Sequence, residues 1–233
     1  AFVTGAADNH YGVWIGMADA ARLATITSGS GNISILGDGS GNSGINRRGI
    51  LLYKATISSG SGNITLDGRV TTNSTCFDLM FITGNTTISS TSGAVTLKGS
   101  AGSSSSFENT SVTSGGSVTL QVSKPAVATS NTLTLGGSGD KVIEYPAAAT
   151  DFAAAVTTTG FSFGTTSKSI RIGTASVTKS LTVSSAIAAA GPISLLANSV
   201  SFTKTAGLDT TALAGSAILV KAKTWIQADS QDS

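Results

Sequence analysis

The sequence predicts an all-β chain folded as a parallel β-helix (β-solenoid), with short strands and Gly-, Ser- and Asn-rich corners. Three observations carry this expectation. Gly, Ser and Thr fill about two-fifths of the 233 positions, yet apolar residues still reach 40%. Charged residues are 11% and aromatics 6%, too few for a helical bundle, which needs Ala, Leu, Glu and Lys at 3.6 spacing. Near-identical segments recur at a fixed offset, the mark of a repeat architecture. Disorder is excluded by the wealth of β-branched residues, and collagen by aperiodic glycines with 3 Pro.

Residues 1–23 read as an irregular, coil-joining lead-in, in which Tyr11 to Leu23 could hold a helical turn. The chain begins at Ala1 without Met or a basic-then-apolar leader, so a processed product or a segment of something longer is expected. From residue 24 the repeat begins. Ala24-Thr25-Ile26-Thr27-Ser28-Gly29-Ser30-Gly31-Asn32-Ile33-Ser34-Ile35 realigns without a gap on Ala55-Thr56-Ile57-Ser58-Ser59-Gly60-Ser61-Gly62-Asn63-Ile64-Thr65-Leu66. The same offset reaches Thr87-Ile88-Ser89-Ser90 and Ala94-Val95-Thr96-Leu97, and an echo at a shorter offset gives Ser117-Val118-Thr119-Leu120.

Each unit is two very short strands around a corner. Period-two alternation sends Ile26, Ile33 and Ile35 inward and Thr25, Thr27 and Ser34 outward. Strands this short bury little alone, so stacking must supply both the pairing and the interior. Gly and Asn serve the corners, where the backbone must bend sharply. The later half keeps this grammar at Thr132–Leu135, Ser169–Ile172, Ser180–Val183, Pro192–Leu195, Ser199–Phe202 and Ala217–Val220. Pro146 to Val156 reads as a loop or short helical excursion, so residues 24–228 form one continuous helix and 229–233 a tail.

The run from Leu181 to Leu195, with Gly31-Asn32-Ile33-Ser34-Ile35 and Gly62-Asn63-Ile64-Thr65-Leu66, resembles the repeats of filamentous-haemagglutinin-type bacterial adhesins. The resemblance covers roughly residues 24 to 228. It implies a right-handed β-helix and a shaft segment of a two-partner-secretion exoprotein, extracellular or on the bacterial cell surface. Adhesion or scaffolding without catalysis or cofactor would be its role. The NPNG-type signature of that family's secretion domain is not in this sequence.

Each candidate site has a plainer reading beside it. Gly39-Ser40-Gly41-Asn42-Ser43-Gly44 matches GxGxxG, but a dinucleotide site needs a following helix, and an apolar strand pattern follows instead. Gly136-Gly137-Ser138-Gly139-Asp140 resembles a calcium-binding nonapeptide without a tandem copy, which favours a structural turn. His10, the one histidine, and Cys76, the one cysteine, read as bystander and buried hydrophobe. One cysteine also excludes an intrachain disulfide. Five glycosylation sequons begin at Asn32, Asn63, Asn73, Asn85 and Asn109, as a chain rich in Asn, Ser and Thr produces by chance.

A β-helical carbohydrate-acting enzyme is the competing function, and a self-assembling surface-layer, sheath or filament subunit a third. Catalysis would need paired carboxylates across stacked coils, whereas the register sets Asp67 beside Leu36 and Lys98. The candidate surface is a hydroxyl ladder: Thr25, Thr56 and Thr87 in one column, Thr27, Ser58 and Ser89 in the next. Hydrogen bonding within itself is its plain reading, and carbohydrate or a host or partner-cell surface its candidate ligand. Expected partners are flanking parts of a longer chain, or identical copies stacked end to end. With net charge +2 and one adjacent basic pair, Arg47-Arg48, nucleic acid is not expected, and no apolar run approaches the ~18 residues of a membrane helix.

Overall fold

The computed structural model describes residues 10–17, 23–40, 47–70, 77–100, 104–210 and 217–228. Within them the protein is all-β, with parallel strands in stacked sheets. The first triplet of strands is β1 (His10–Gly16), β2 (Ala24–Ser28) and β3 (Ile33–Asp38). A second follows as β4 (Arg47–Tyr53), β5 (Ala55–Ser59) and β6 (Ile64–Arg69), and a third as β7 (Phe77–Thr83), β8 (Thr87–Ser90) and β9 (Val95–Gly99). Next come β10 (Ser104–Phe107), β11 (Thr110–Ser114) and β12 (Val118–Gln121), then β13 (Lys124–Val127), β14 (Leu133–Gly136) and β15 (Lys141–Glu144).

Each member of a triplet pairs with its counterpart in the next. The first members form the sheet β1-β4-β7-β10-β13, the second β2-β5-β8-β11-β14, and the third β3-β6-β9-β12-β15. The chain thus visits three sheets in fixed order. The sequence exposes two strands per repeat; the structure has three. The additional strand lies where the repeats differ most, as in RRGILLY and FDLMFIT.

Beyond β15 the order changes: β16 (Val156–Thr157) joins the third sheet instead of the first, whereas β17 (Phe161–Phe163) and β18 (Ile170–Gly173) extend the second and third. β19 (Leu181–Val183) again joins the third sheet, β20 (Ile187–Ala188) a separate two-stranded one, and β21 (Ile193–Phe202) the third. The last strands are β22 (Leu208–Asp209) and β23 (Ile218–Ala228). Pro192–Leu195 and Ser199–Phe202, two strands in the sequence reading, join as one in β21. Its first half pairs with β18 and its second with β19.

The registers reproduce the sequence offsets. Ala24 pairs with Ala55 and Ile33 with Ile64 across the longer offset, while Val95 pairs with Val118 across the shorter one. Interior columns follow, such as Ile35, Leu66, Leu97, Leu120, Ile143, Ile172 and Leu195, most of them fully buried. Burying a side chain of this size is worth about 1.5–3 kcal/mol, so the columns supply the drive that ~5-residue strands lack singly.

The lead-in is not irregular over its described part. His10–Gly16 is a regular strand because Val13 and Ile15 alternate inward around outward Trp14 and pair with Ile50 and Leu52. Residues 1–9, 18–22 and 229–233 lie outside the described residues, as does Cys76. The Pro146–Val156 segment holds no helix: the Ala149 N–H closes a turn on Pro146 at 2.8 Å, and the strand resumes at Val156. Phe152 drops from that loop into the core, its ring edge-on to Tyr145 at 5.7 Å.

The turn from first to second strand repeats one device. Lys54, Asn85, Asn109, Ser130 and Gly160, at this turn in successive triplets, all have positive φ. A left-handed residue redirects the chain within one or two positions, which Gly and Asn tolerate best.

Candidate functional site

The hydroxyl ladder is assembled from the second sheet. Thr25 pairs with Thr56 and Thr56 with Thr87; Thr27 pairs with Ser58 and Ser58 with Ser89. The structure therefore brings all six residues together, in two columns with rungs about 4.8 Å apart. Their inward neighbours Ile57 and Ile88 are fully buried, which turns the hydroxyls outward. The column runs further than the longer sequence offset reveals, through Ser111, Thr134 and Ser162, because later triplets are shorter but keep the phase. Thr113 extends the second column, which ends opposite Gly136.

At the corner beside this ladder are buried serines that sequence reasoning treats only as turn residues. Ser59 accepts from the Gly62 N–H at 3.0 Å and donates to the Gly31 carbonyl at 3.2 Å. Ser90 repeats this with the Gly93 N–H at 3.0 Å and the Gly62 carbonyl at 2.8 Å, and Ser114 donates to Gly93 at 2.5 Å. Asparagines flank them as a second ladder. The Asn32 side-chain oxygen accepts from the Asn63 N–H, and that of Asn63 from the Ala94 N–H, both at 2.8 Å. The GSGN motif is thus a corner in which each rung satisfies the next.

The third sheet carries two carboxylates with basic partners, Asp67 and Glu144. Asp67 lies opposite Leu36 and Lys98 in register, as the offset required, and bridges Lys98 at 3.3 Å and Arg69 at 2.7 Å. Burial pushes the Asp67 carboxyl up, but Arg69 and Lys98 outweigh it and hold it below its ordinary value. Glu144 accepts from Gln121 at 2.7 Å and from Arg171 at 2.6 Å; burial again raises it and these partners bring it lower. Both carboxylates are therefore anions held by partners, the opposite of what a general acid requires.

The glycine turn Gly136–Asp140 is occupied by the chain itself. Lys141 sits in an interior column between Val118 and Ile170, fully buried. Its ammonium donates to the carbonyls of Gly137 at 3.0 Å and Gly139 at 2.6 Å, and Asp140 accepts from the Ser169 hydroxyl at 2.7 Å. The oxygens a calcium ion would use are thus engaged by lysine. Burial pushes the Lys141 amine down to about 8, partly offset by Asp140.

The Gly39–Gly44 motif is described at Gly39 and Ser40, and the next described residues form a strand, Arg47–Tyr53, not a phosphate-binding helix. His10 lies on β1, paired with Arg47. Among the described residues no group of three or more His, Cys, Asp or Glu gathers as a metal site, and no helix is long and apolar enough to cross a membrane. The cleft lined by Phe152, Val156, Ile172, Val177, Leu181 and Leu196 is apolar and holds about one water-sized sphere. Compared with family models, curated proteins and solved structures, the chain matches none.

Proposed function

We propose that the chain is a segment of an extracellular bacterial surface fibre: a right-handed parallel β-helix acting as scaffold and adhesive surface rather than catalyst. The observation that carries this reading is the fixed order in which the chain visits three sheets through its first five triplets. With parallel pairing throughout, that order describes a coil whose interior is an apolar stack and whose outside is a set of repeated polar columns. A coil of this kind resists extension through its pairing along the whole length, which is what a shaft needs. The likeness of its Gly-Asn-Ile corners to filamentous-haemagglutinin repeats supplies the handedness and the extracellular setting.

The surface supports binding by repetition rather than by one pocket. Rows of hydroxyls about 4.8 Å apart offer polysaccharides or a partner-cell surface many weak polar contacts, whose joint strength grows with the number engaged. The carboxylates of Asp67 and Glu144 are each held by a basic neighbour, which suits a scaffold better than a glycosidase. Two measurements test the reading together. Immunogold labelling of intact source cells should decorate their surface, and a panel of acidic and neutral polysaccharides should be retained without turnover. Labelling confined to the cell interior, or release of reducing ends, contradicts it.

A further inference from the structure

The hydroxyls of the two ladder columns have no partner within the protein among the described residues. Stacked hydroxyls elsewhere in this chain do pair. Ser201 donates to Thr182, its partner on the adjacent strand, at 3.1 Å, and Ser199 donates to Ser180 at 2.7 Å. Thr159 and Ser184 bond at 2.8 Å. The ladder also differs in what surrounds it. The outward positions of β2, β5, β8, β11, β14 and β17 hold only Thr, Ser and Gly. On the third sheet a single hydroxyl column that includes Thr65, Thr96 and Thr119 runs beside Asp67, Lys98 and Gln121. The second sheet thus presents a two-dimensional array over six rungs, ~4.8 Å from rung to rung and ~6.6 Å between columns. Its positions are fixed from behind, since Ser59 and Ser90 tie each corner to the rung before.

A soluble glycan is gripped by aromatic faces and by charged or amide groups, none of which occupies these outward positions. A flexible chain also loses freedom at every contact it makes. A solid whose surface is a rigid lattice of hydrogen-bonding groups loses little and gains from every rung at once. We propose that the ladder binds ice. Each hydroxyl anchors one water, and each threonine methyl restricts the orientation of the waters beside it. The two repeats of the array lie close to those of water on a prism face of ice, so the anchored layer can join the crystal. Ice binding goes beyond the adhesive reading and rests on the second-sheet registers alone, so the two are separable.

The test is the freezing behaviour of the 233-residue chain in a nanolitre osmometer. Wild-type protein should open a gap between melting and freezing points and facet the growing crystal. A ladder variant, Thr87→Tyr with Ser111→Tyr, should lose both effects, because two rings at mid-column hold the face off the lattice. A control, Thr96→Tyr with Thr119→Tyr, sets the same rings on paired strands of the third sheet and should keep the full gap. All four side chains are partly exposed, so circular dichroism should stay native. If the ladder variant unfolds, Thr87→Lys with Ser111→Glu replaces it, an ion pair across the same register and equally foreign to ice. Folded wild type that opens no gap, a gap that the ladder variant keeps, or equal losses in ladder variant and control overturn the proposal. Retention on microcrystalline cellulose or chitin without any effect on ice also overturns it, and leaves the adhesive reading standing.

Discussion

Lys141 places a titratable amine within an apolar column, and its consequence is a stability that depends on alkaline pH. The folded amine titrates at about 8 against 10.5 ordinarily, so between those values the unfolded chain holds more protons. Unfolding free energy therefore rises with pH across that window, by on the order of 3 kcal/mol. Denaturant titrations near neutrality and at about pH 10 should show the rise in the wild type and its loss in Lys141→Met. Asp67 and Glu144 act at the other extreme. Their folded values are lowered, so their contribution is present above the ordinary carboxylate values of 3.8 and 4.5 and is lost as pH falls below them. Asp67→Asn should reduce that acid-dependent loss. Adjacent serines make a sharper comparison. Ser90 is buried and bonded to both the Gly93 N–H and the Gly62 carbonyl, so Ser90→Ala should lower stability by about 1–3 kcal/mol. Ser89, outward on the ladder, should change it by less than about 0.5 kcal/mol when replaced by Ala. Equal effects at the two sites would contradict the inward–outward assignment.

At the scale of strands and corners, stability comes from bonds between successive rungs. Asn63→Ala removes the acceptor of the Ala94 N–H and should cost about 1 kcal/mol in urea unfolding. Gly139→Ala should be much worse. An added Cβ would lie 0.9 Å from the Gly116 carbonyl oxygen, so the turn must move and carry the Lys141 bonds with it. Elements of this kind are unevenly legible in the sequence. The second- and third-sheet strands can be read because Thr25–Ile26–Thr27 and Asn32–Ile33–Ser34 return almost unchanged at Thr56–Ile57–Ser58 and Asn63–Ile64–Thr65, and alternation fixes which side chains face in. The first-sheet strands cannot. Arg47–Tyr53 and Phe77–Thr83 share little sequence, since an interior column asks for apolar volume rather than identity, and β10 is mostly serine. His10–Gly16 is hidden by its glycines, one of which, Gly12, would meet the Asp38 backbone at 2.1 Å if it bore a Cβ. Of the candidate site, the six ladder residues are legible from the offset. The buried serines behind them are not, because the carbonyls they reach lie on the neighbouring rung. Nor is the lysine in the glycine turn, whose inward direction shows only once Val118 and Ile170 are its column neighbours.

For the molecule as a whole, scarcity of charge and abundance of small residues have one physical origin. Stacked rungs bring every outward residue beside its own repeat, and like charges placed directly opposite destabilise a sheet, whereas Ser and Thr do not. Where charges stand directly opposite in the third sheet they are unlike in sign, as Asp67 with Lys98 and Asp38 with Arg69. The proposed coil requires the sheets to wind continuously around one interior. Fibre diffraction from aligned protein measures that most directly. The coil predicts a strong reflection near about 4.8 Å along the long axis of an elongated particle. A compact particle whose strand spacing has no preferred direction would contradict it.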